Sequence, residues 1–250
     1  MDLGPDPGLL GPTLTFTAAT LTLGLVAAAR HGSHFPIHLL HTKISSMESI
    51  AGFILAGGES RRMGTDKWRL ELDGQSFVQR IANEISAVTP LRISPVTLVG
   101  NTIGDDSAGI KPDLPVAPDV YPAWGALGGV HAALSACLAE WALVVACDFP
   151  FVTNELFVRL ASLRDTFDAV APVQSDQIPQ PLCALYRVEP CLKRAEQLIK
   201  SGERKPIALL QSVRTRWVSF SEIEDLAEAA RFFDNINTPQ DYERIARERS

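Results

Sequence analysis

The segment LAGGESRRMGTDK, residues 55–67, decides how the rest of the chain is interpreted. It overlaps the end of the apolar run Ile50–Leu55, which is typical of a strand buried in a sheet. Adjacent glycines let backbone N–H groups approach a phosphate without obstruction, and Arg61, Arg62 and Lys67 add positive charge. The segment therefore predicts either a loop that holds a phosphate or an ordinary solvated turn.

The glycine segment differs from the two commonest phosphate-binding patterns. A P-loop has glycine directly before the lysine, whereas Thr65 and Asp66 precede Lys67 here, and the dinucleotide pattern GxGxxG does not occur in the segment. For the Gly57-Gly58 pair alone a solvated turn would be the better interpretation. The complete segment, with its arginines and lysine, favours phosphate binding.

Strands and helices alternate along the chain that follows this segment. Apolar runs predict strands, and apolar residues at helical spacing predict helices. The predicted strands are 50–55, 96–99, 114–117, 142–146, 168–173, 182–187 and 215–220, and the predicted helices are 76–88, 128–139, 153–162, 190–200 and one that begins at Thr238. This order predicts an α/β fold, a single Rossmann-like domain of three layers with a mostly parallel sheet.

Glycine and polar residues stand where several predicted strands end. Leu55 to Gly58 end the first strand, and Asn101, Asp119 and Asp148 follow three later strands. Ligands of such sheets bind outside the carboxyl ends of the strands. We therefore expect these residues to lie along one edge of the sheet and to form a site there.

The overall composition excludes some functional classes. The 250 residues carry a net charge of −6, which disfavours a general nucleic-acid binder, since such a protein needs a basic face. The four cysteines form no CxxC pair and no zinc spacing, so we expect buried, reduced thiols in a cytoplasmic protein.

Residues 1–46 differ from the rest of the chain. They hold four of the five histidines, and Pro36 interrupts the helical spacing of these histidines, so a disordered tail is a better interpretation than a metal site. The apolar stretch 14–29 is shorter than the ~20 residues that a membrane span needs, and no basic region precedes it as in a secretory signal. We predict that 1–46 is an extension, disordered or not native, before one folded domain, 47–250, with no membrane span.

Four segments resemble, in order, the signature segments of one protein family. LAGGESRRMGTDK is similar to LAGGxSxRMGxDK; APDVYPAWGALGGVHAAL to an aspartate followed by GPLAG; VVACDFPFV to CDxP; and FFDNINTPQDY to NINTPxD. These are segments of the molybdenum cofactor guanylyltransferases (MobA). The resemblance extends from Ile50 to about Ile245.

The resemblance implies a reaction and a set of site residues. The family transfers GMP from GTP to the phosphate of molybdopterin, the organic part of the molybdenum cofactor, and releases pyrophosphate. Asp148 would hold Mg²⁺, Asp119 would contact the nucleoside, and Lys67 would contact the phosphates. The residues implied to bind GTP are Leu55, Ala56, Gly57, Lys67, Asn101, Asp119 and Asp148.

Other residues are weaker candidates by the same resemblance. Arg62 occupies the family's arginine position and is a candidate phosphate contact, and Asn235 and Asn237 are candidate molybdopterin contacts. Arg204 and Lys205 would face the pterin phosphate, although a solvated helix end explains these charges equally well. Proteins that insert the finished cofactor into molybdenum enzymes are expected partners.

Two departures from the family pattern and several alternatives remain. The GPLAG segment lacks its proline at 125–129, and the family's His-Pro before a strand is Gln180-Pro181, so the rim of the site or its second substrate could differ. Asp148 could merely end a strand, and Asp119 could merely be a turn residue. His131, in a predicted helix, is predicted to have a structural role. A cytidylyltransferase acting on molybdopterin is the nearest rival function, and a nucleotide-binding protein without catalysis is another.

Overall fold

The structure is a computed structural model that describes residues 49–56, 70–88, 93, 95–100, 114–122, 124–234, 236 and 241–242. The predicted extension, 1–46, and the start of the predicted last helix, at Thr238, lie outside the described residues. Everything below concerns the described ranges.

A seven-stranded sheet forms the centre of the described domain. Its strand order is β5-β4-β1-β6-β8-β7-β9, and β8 runs antiparallel to both of its neighbours while the other described strands of the sheet share one direction. The strands are β1 (Ile50–Leu55), β4 (Val96–Val99), β5 (Val116–Ala117), β6 (Trp141–Ala146), β7 (Ala169–Pro172), β8 (Cys183–Arg187) and β9 (Thr215–Val218). A separate hairpin pairs β2 (Glu71–Leu72) with β3 (Gln75–Ser76).

Helices cover both faces of the sheet. They are α1 (Phe77–Ser86), α2 (Gly125–Ala136), α3 (Asn154–Ser162), α4 (Val188–Lys200) and α5 (Pro206–Ser212), with 3₁₀ turns at Phe220–Glu222 and Ala229–Arg231. Most buried residues of α1 and all those of α3 belong to one apolar cluster, whereas the buried apolar side chains of α2, α4 and α5 belong to another; Phe77 of α1 belongs to a third, smaller cluster. This arrangement confirms the predicted three-layer α/β fold with a mostly parallel sheet.

Strand β6 shows why its sequence is apolar without alternation. Trp141, Leu143 and Val145 point into the cluster with α1 and α3, whereas Ala142 and Val144 point into the cluster on the other face. Successive side chains of a strand alternate between faces, so a strand covered on both sides needs apolar residues throughout. Every residue of β6 is accordingly buried.

Helix α2 begins earlier than its sequence indicates. The predicted helix was 128–139, whereas α2 spans Gly125–Ala136. Glycine has low helix propensity, so Gly125 looks like part of a loop in sequence, but tertiary packing overrides that preference here. Gly128 shows the packing: a Cβ atom at this position would lie 2.9 Å from Trp124 Cβ and 3.2 Å from the Tyr121 carbonyl oxygen.

The ends of α4 and α3 correct two further details. The predicted start of α4, Pro190, is its third residue, where the missing N–H of proline would have no helical partner in any case. Its end is confirmed: Gly202 has φ +90°, and its N–H donates to the Ile199 carbonyl at 3.0 Å. Thr153 stands at the cap position of α3, but its side chain makes no capping hydrogen bond, contrary to the prediction.

Four short elements have no counterpart in the sequence-based prediction: one hairpin, one helix and two 3₁₀ turns. The β2–β3 hairpin turns at Asp73 (φ 54°) and Gly74 (φ 75°), and both residues therefore adopt the left-handed conformation typical of a two-residue hairpin turn. Helix α5 and the two 3₁₀ turns are each seven residues or shorter. Elements of this length contain too few residues to show a period.

Candidate active site

Four parallel strands end together at one edge of the sheet. Leu55 pairs with Val99 on one side and with Ala146 on the other. Beyond the strands, the Ala56 N–H donates to the Val99 carbonyl at 3.0 Å and the Cys147 N–H donates to the Leu55 carbonyl at 3.1 Å. The residues that follow β1 and β6 are therefore adjacent, as expected for a site at the carboxyl ends of parallel strands.

Some of the predicted site residues belong to this edge, and others lie outside the described residues. The structure describes Leu55, Ala56, Asp119 and Asp148, and each is at or just beyond the end of β1, β5 or β6. Outside the described residues are Gly57, Arg61, Arg62, Lys67, Asn101, Asn235 and Asn237. The roles assigned to those residues stay predictions.

The Leu55 side chain faces α2 and is buried rather than directed at the sheet edge. A Cβ atom at Gly129 would lie 3.4 Å from Leu55 Cδ1, which places the leucine side chain against the first turns of that helix. Leu55 and Ala56 are 6% and 8% exposed. They can therefore offer a ligand at the edge mainly their backbone atoms. The backbone contact with a nucleotide that the resemblance implies stays a prediction.

Asp148 is placed by a turn with buried aromatic anchors. It follows Cys147 directly, and the Phe149 N–H donates to the Ala146 carbonyl at 3.3 Å, so the chain turns as soon as β6 ends. Phe149 and Phe151 are both buried. Asp148 itself is half-buried and lies beside the backbone of Leu55 and Ala56, because Cys147 is hydrogen-bonded to Leu55.

Asp119 begins a loop that packs on α2. Its Oδ1 atom accepts a hydrogen bond from the Tyr121 N–H at 3.0 Å. The Tyr121 ring meets the His131 ring edge-on, with 4.8 Å between centroids and 76° between planes. Further along, Trp124 Nε1 donates to the Glu203 carbonyl at 2.9 Å, which ties the loop to the segment before α5.

His131 lies under this loop and is nearly inaccessible to solvent. It is 3% exposed, and its burial lowers the pKa of the imidazole, while Glu196 and Asp119 oppose that shift. Nδ1 is 3.4 Å from Ser135 Oγ, and Nε2 is 3.9 Å from Glu196 Oε1 on α4. The sequence predicts a structural role for His131 and gives no direct link to Asp119; the spacing of Gly128 and His131, which puts both on one face of a helix, is the available signal.

A groove of about 210 Å³ lies at the same edge, where β7 and β9 end. The groove residues are Gln174, Ser175, Asp176, Phe220, Ala229, Ala230, Phe233 and Asp234. Strand β7 runs in the same direction as β6, because β8 is antiparallel to both. The sequence did not indicate the contribution of 174–176, although FFDNINTPQDY includes two of the groove residues.

The Gln180-Pro181 pair also reaches this edge. The Ala146 N–H donates to the Leu182 carbonyl at 2.8 Å, and the Tyr186 hydroxyl donates to the Pro181 carbonyl at 2.6 Å. Because β8 is inverted, the residues before it stand beside the end of β6. The place where this chain departs from the family's His-Pro pattern is therefore beside the Asp148 turn.

Arg204 and Lys205 lie next to the Asp119 loop. The Arg204 guanidinium lies over the Trp124 ring, 4.6 Å from its centroid. The Glu203 carboxylate accepts hydrogen bonds from the Arg204 and Lys205 N–H groups, both at 2.8 Å, and these bonds lower its pKa. The predicted contact of either side chain with a pterin phosphate stays a prediction.

Two features are absent from the described ranges: a cluster of side chains that could hold a metal ion, and a helix that could span a membrane. Among the residues that the structure describes, no group of three or more histidine, cysteine, aspartate or glutamate side chains is arranged to hold a metal ion. In the same ranges, none of the helices combines the length and hydropathy required to span a membrane.

Comparison with known proteins identifies the family and its members. The model of the MobA-like NTP transferase domain matches residues 52–216. A protein of Pelotomaculum thermopropionicum named "Probable molybdenum cofactor guanylyltransferase" is 34% identical over 195 residues, which cover 78% of this chain and 91% of that protein. The molybdenum cofactor guanylyltransferase of Vibrio cholerae is 32% identical over 190 residues, covering 75% and 87%.

Solved structures with lower sequence identity share the fold. Molybdopterin-guanine dinucleotide biosynthesis protein A of Archaeoglobus fulgidus matches with a TM-score of 0.65 at 24% identity, over 79% of this chain and 97% of that one. The 2-C-methyl-D-erythritol 4-phosphate cytidylyltransferase of Thermus thermophilus matches with a TM-score of 0.56 at 14% identity, over 79% and 97%. These matches concern the fold alone.

Proposed function

The chain belongs to the MobA-like NTP transferase family and is a nucleotidyltransferase, and we propose on this basis that it transfers GMP from GTP to the phosphate of molybdenum-bound molybdopterin. The products would be pyrophosphate and the molybdopterin guanine dinucleotide cofactor. The observation that carries the proposal is that Ala56, Asp119 and Asp148 follow three parallel strands that end at one edge. The names of the relatives support guanine as the base.

The nucleotide would lie over the ends of β1, β4 and β5. In the proposal, the backbone of Leu55, Ala56 and Gly57 approaches the nucleotide, and Asp119 contacts the nucleoside. Lys67, with Arg62 as a further candidate, would neutralise phosphate charge, and Asn101 would be another contact. The described part of this arrangement supports the proposal because Leu55 and Ala56 are buried and offer backbone atoms.

The residues present fit a magnesium ion held together with the substrate. Mg²⁺ prefers oxygen ligands and is commonly held by one or two protein carboxylates plus substrate phosphates. Asp148 supplies one carboxylate at the sheet edge, beside the backbone where the triphosphate would lie. The ion would supply neutralisation of the negative charge that develops on the leaving pyrophosphate.

The transfer itself needs little proton chemistry from the protein. The attacking group is a phosphate oxygen of molybdopterin, which is largely ionised at pH 7 because the second pKa of such a phosphate is ~6. That oxygen forms a bond to the α-phosphorus of GTP while the bond from this phosphorus to the bridging oxygen breaks. The main tasks of the protein are therefore to align the two substrates and to stabilise charge.

The pterin would lie in the groove at the ends of β7 and β9. A pterin ring carries several N–H donors and a flat face, whereas the groove offers the carboxylates of Asp176 and Asp234 and the rings of Phe220 and Phe233. Asn235 follows the groove directly in sequence and Asn237 follows two residues later. We therefore propose both asparagines as further molybdopterin contacts.

Pyrophosphate release tests the proposal directly. The full chain is supplied with Mg²⁺, molybdenum-bound molybdopterin, and either GTP or CTP. We expect release with GTP, near-complete loss in Asp148→Asn, and full activity in Asp165→Asn, which removes an exposed carboxylate from the loop before β7. Pyrophosphate release with CTP alone would mean that CTP, and not GTP, is the substrate. No release with either nucleotide would refute the proposal.

A further inference from the structure

We propose that His131 is a positioning residue for the nucleotide: through the Tyr121 ring it holds the loop that begins at Asp119 in the conformation that binds. The inference rests on the proposed function, because that proposal assigns the nucleoside contact to Asp119. It gives His131 no contact with either substrate and no part in the transfer of the GMP group.

The contacts form a short chain from α2 to Asp119. The His131 and Tyr121 rings meet edge-on at 4.8 Å, and the Tyr121 N–H donates to Asp119 Oδ1 at 3.0 Å. The position of the tyrosine ring therefore fixes the backbone that orients the carboxylate. One helical turn before His131, Gly128 lets the same loop approach α2 closely, so both residues shape the surface on which the loop rests.

Packing alone does not explain a histidine at this position. Among the described residues, the Nε2 atom of His131 is buried without a hydrogen-bond partner. Burying such a polar atom costs free energy, and a phenylalanine ring at this position would avoid that cost. Unlike a phenylalanine ring, the imidazole can also interact with a carboxylate on the neighbouring helix, because Nε2 lies 3.9 Å from Glu196 Oε1 on α4. Glu196 in turn lies 3.8 Å from Lys200 Nζ. His131 therefore links the loop on one side to α4 on the other.

The effect of His131 should be confined to nucleotide affinity. The turn that carries Asp148 has its own anchors, Phe149 and Phe151, which belong to other apolar clusters than the residues around His131. A change at His131 that lets the Asp119 loop shift would leave the Asp148 turn in place. We therefore expect the KM for the nucleotide to rise while kcat at saturation stays the same.

The experiment measures GTP binding and steady-state kinetics on the full chain with Mg²⁺. An edge-on aromatic contact corresponds to roughly a 2- to 12-fold change in an equilibrium constant. His131→Ala should raise the Kd and KM for GTP by about 3- to 10-fold with kcat within about twofold. His131→Phe keeps a ring against Tyr121 but removes the approach of Nε2 to Glu196, so its Kd and KM for GTP should lie between those of the unmodified chain and those of His131→Ala.

A double-mutant cycle separates positioning from a general loss of stability. Tyr121→Ala should weaken GTP binding as much as His131→Ala does, and the double variant should lose little more, since both changes break one contact chain. Independent, additive losses would overturn the proposal, as would an unchanged Kd in His131→Ala or a fall in kcat at unchanged KM. If His131→Ala does not fold, His131→Phe and Tyr121→Ala still provide the comparison.

One further variant distinguishes this inference from the function on which it rests. Asp119→Ala should weaken GTP binding at least as much as His131→Ala. If Asp119→Ala weakens binding and His131→Ala does not, His131 has no positioning role and the proposed function stands. If Asp119→Ala leaves GTP affinity unchanged, the assigned nucleoside contact is wrong and the positioning role falls with it.

Discussion

Neighbouring glycines of α2 offer a matched pair of substitutions, Gly128→Ala and Gly129→Ala. Both stand inside the same helix, so replacement by alanine brings the same gain in helix propensity, about 1 kcal/mol. The two positions differ in what the new methyl group meets. At Gly128 it would lie 2.9 Å from Trp124 Cβ and 3.2 Å from the Tyr121 carbonyl oxygen, whereas at Gly129 it would lie 3.4 Å from Leu55 Cδ1.

The expected magnitudes follow from these contacts. The Tyr121 carbonyl is part of the backbone, and Trp124 Cβ is bonded directly to it, so neither atom can move without the loop. Gly128→Ala must therefore displace the loop, at an overpacking cost of about 1–3 kcal/mol. After the gain in propensity, we expect Gly128→Ala to lower the free energy of unfolding by about 0–2 kcal/mol. The leucine Cδ1 atom near Gly129 is the end of a flexible side chain at an ordinary contact distance, so Gly129→Ala should raise the free energy of unfolding by about 1 kcal/mol.

Urea denaturation followed by circular dichroism measures the difference between the two variants. We expect Gly129→Ala to be the more stable by about 1–3 kcal/mol, since the propensity gain cancels in the comparison. Gly128→Ala should also bind GTP more weakly than Gly129→Ala, because the displaced loop carries Asp119. Equal stabilities, or a less stable Gly129→Ala, would show that α2 and the loop do not pack as described.

Four other substitutions or treatments test separate parts of the structure. Gly74→Ala should lower the free energy of unfolding by about 1 kcal/mol in urea denaturation, because φ is 75° in the hairpin turn. Ser219→Ala removes the hydrogen bond that the Ser219 hydroxyl accepts from the Glu222 N–H at the 3₁₀ turn, keeps the bond from the Ser219 N–H to the Glu222 carboxylate, and should cost about 1 kcal/mol by the same assay. Burial raises the pKa of Cys183 to about 12, so an alkylating agent at pH 8 should label this thiol, as read by peptide mass spectrometry, only after unfolding; labelling of the folded chain would contradict its burial. The pKa of His131 is lowered in the fold from about 6.5, so its contribution to stability is present above that pH and is lost as the pH falls below it. His131→Phe should therefore flatten the decline of the urea midpoint between pH 7 and pH 5. An unchanged decline in this variant would contradict a lowered pKa of His131.

The central strands could be predicted from sequence because both faces of the sheet are covered. Strands such as β1 and β6 are buried at every position, and a continuous apolar run records this directly. The start of α2 could not be predicted, because the reason for its glycines lies in the loop that packs on it. The inversion of β8 was missed, although the absence of a predicted helix between β7 and β8 was a signal: a parallel connection needs a crossover of a dozen or more residues.

The positions of two candidate residues could be predicted because they depend on strand ends, whereas the roles of these residues stay predictions. Asp119 and Asp148 were located because each follows an apolar run, and the ends of parallel strands meet without any knowledge of side chains. The contacts of the Asp119 loop could not be located in this way. Trp124 meets the Glu203 carbonyl 79 residues further along the chain, and only the folded arrangement of α2 and α5 brings these segments together.

The inverted strand β8 has a consequence for how this enzyme could be re-engineered. Residues 174–178 leave the sheet between β7 and β8, with the Gln174 N–H donating to the Ile178 carbonyl at 2.9 Å, while the pairing of Ala169 with Tyr186 and of Val170 with Leu185 holds both flanking strands in register. A designer could therefore exchange or lengthen this excursion without moving β1, β4 or β5. Replacing this one segment could change the acceptor substrate. The strands at whose ends we propose that the nucleotide lies would keep their sequence and position.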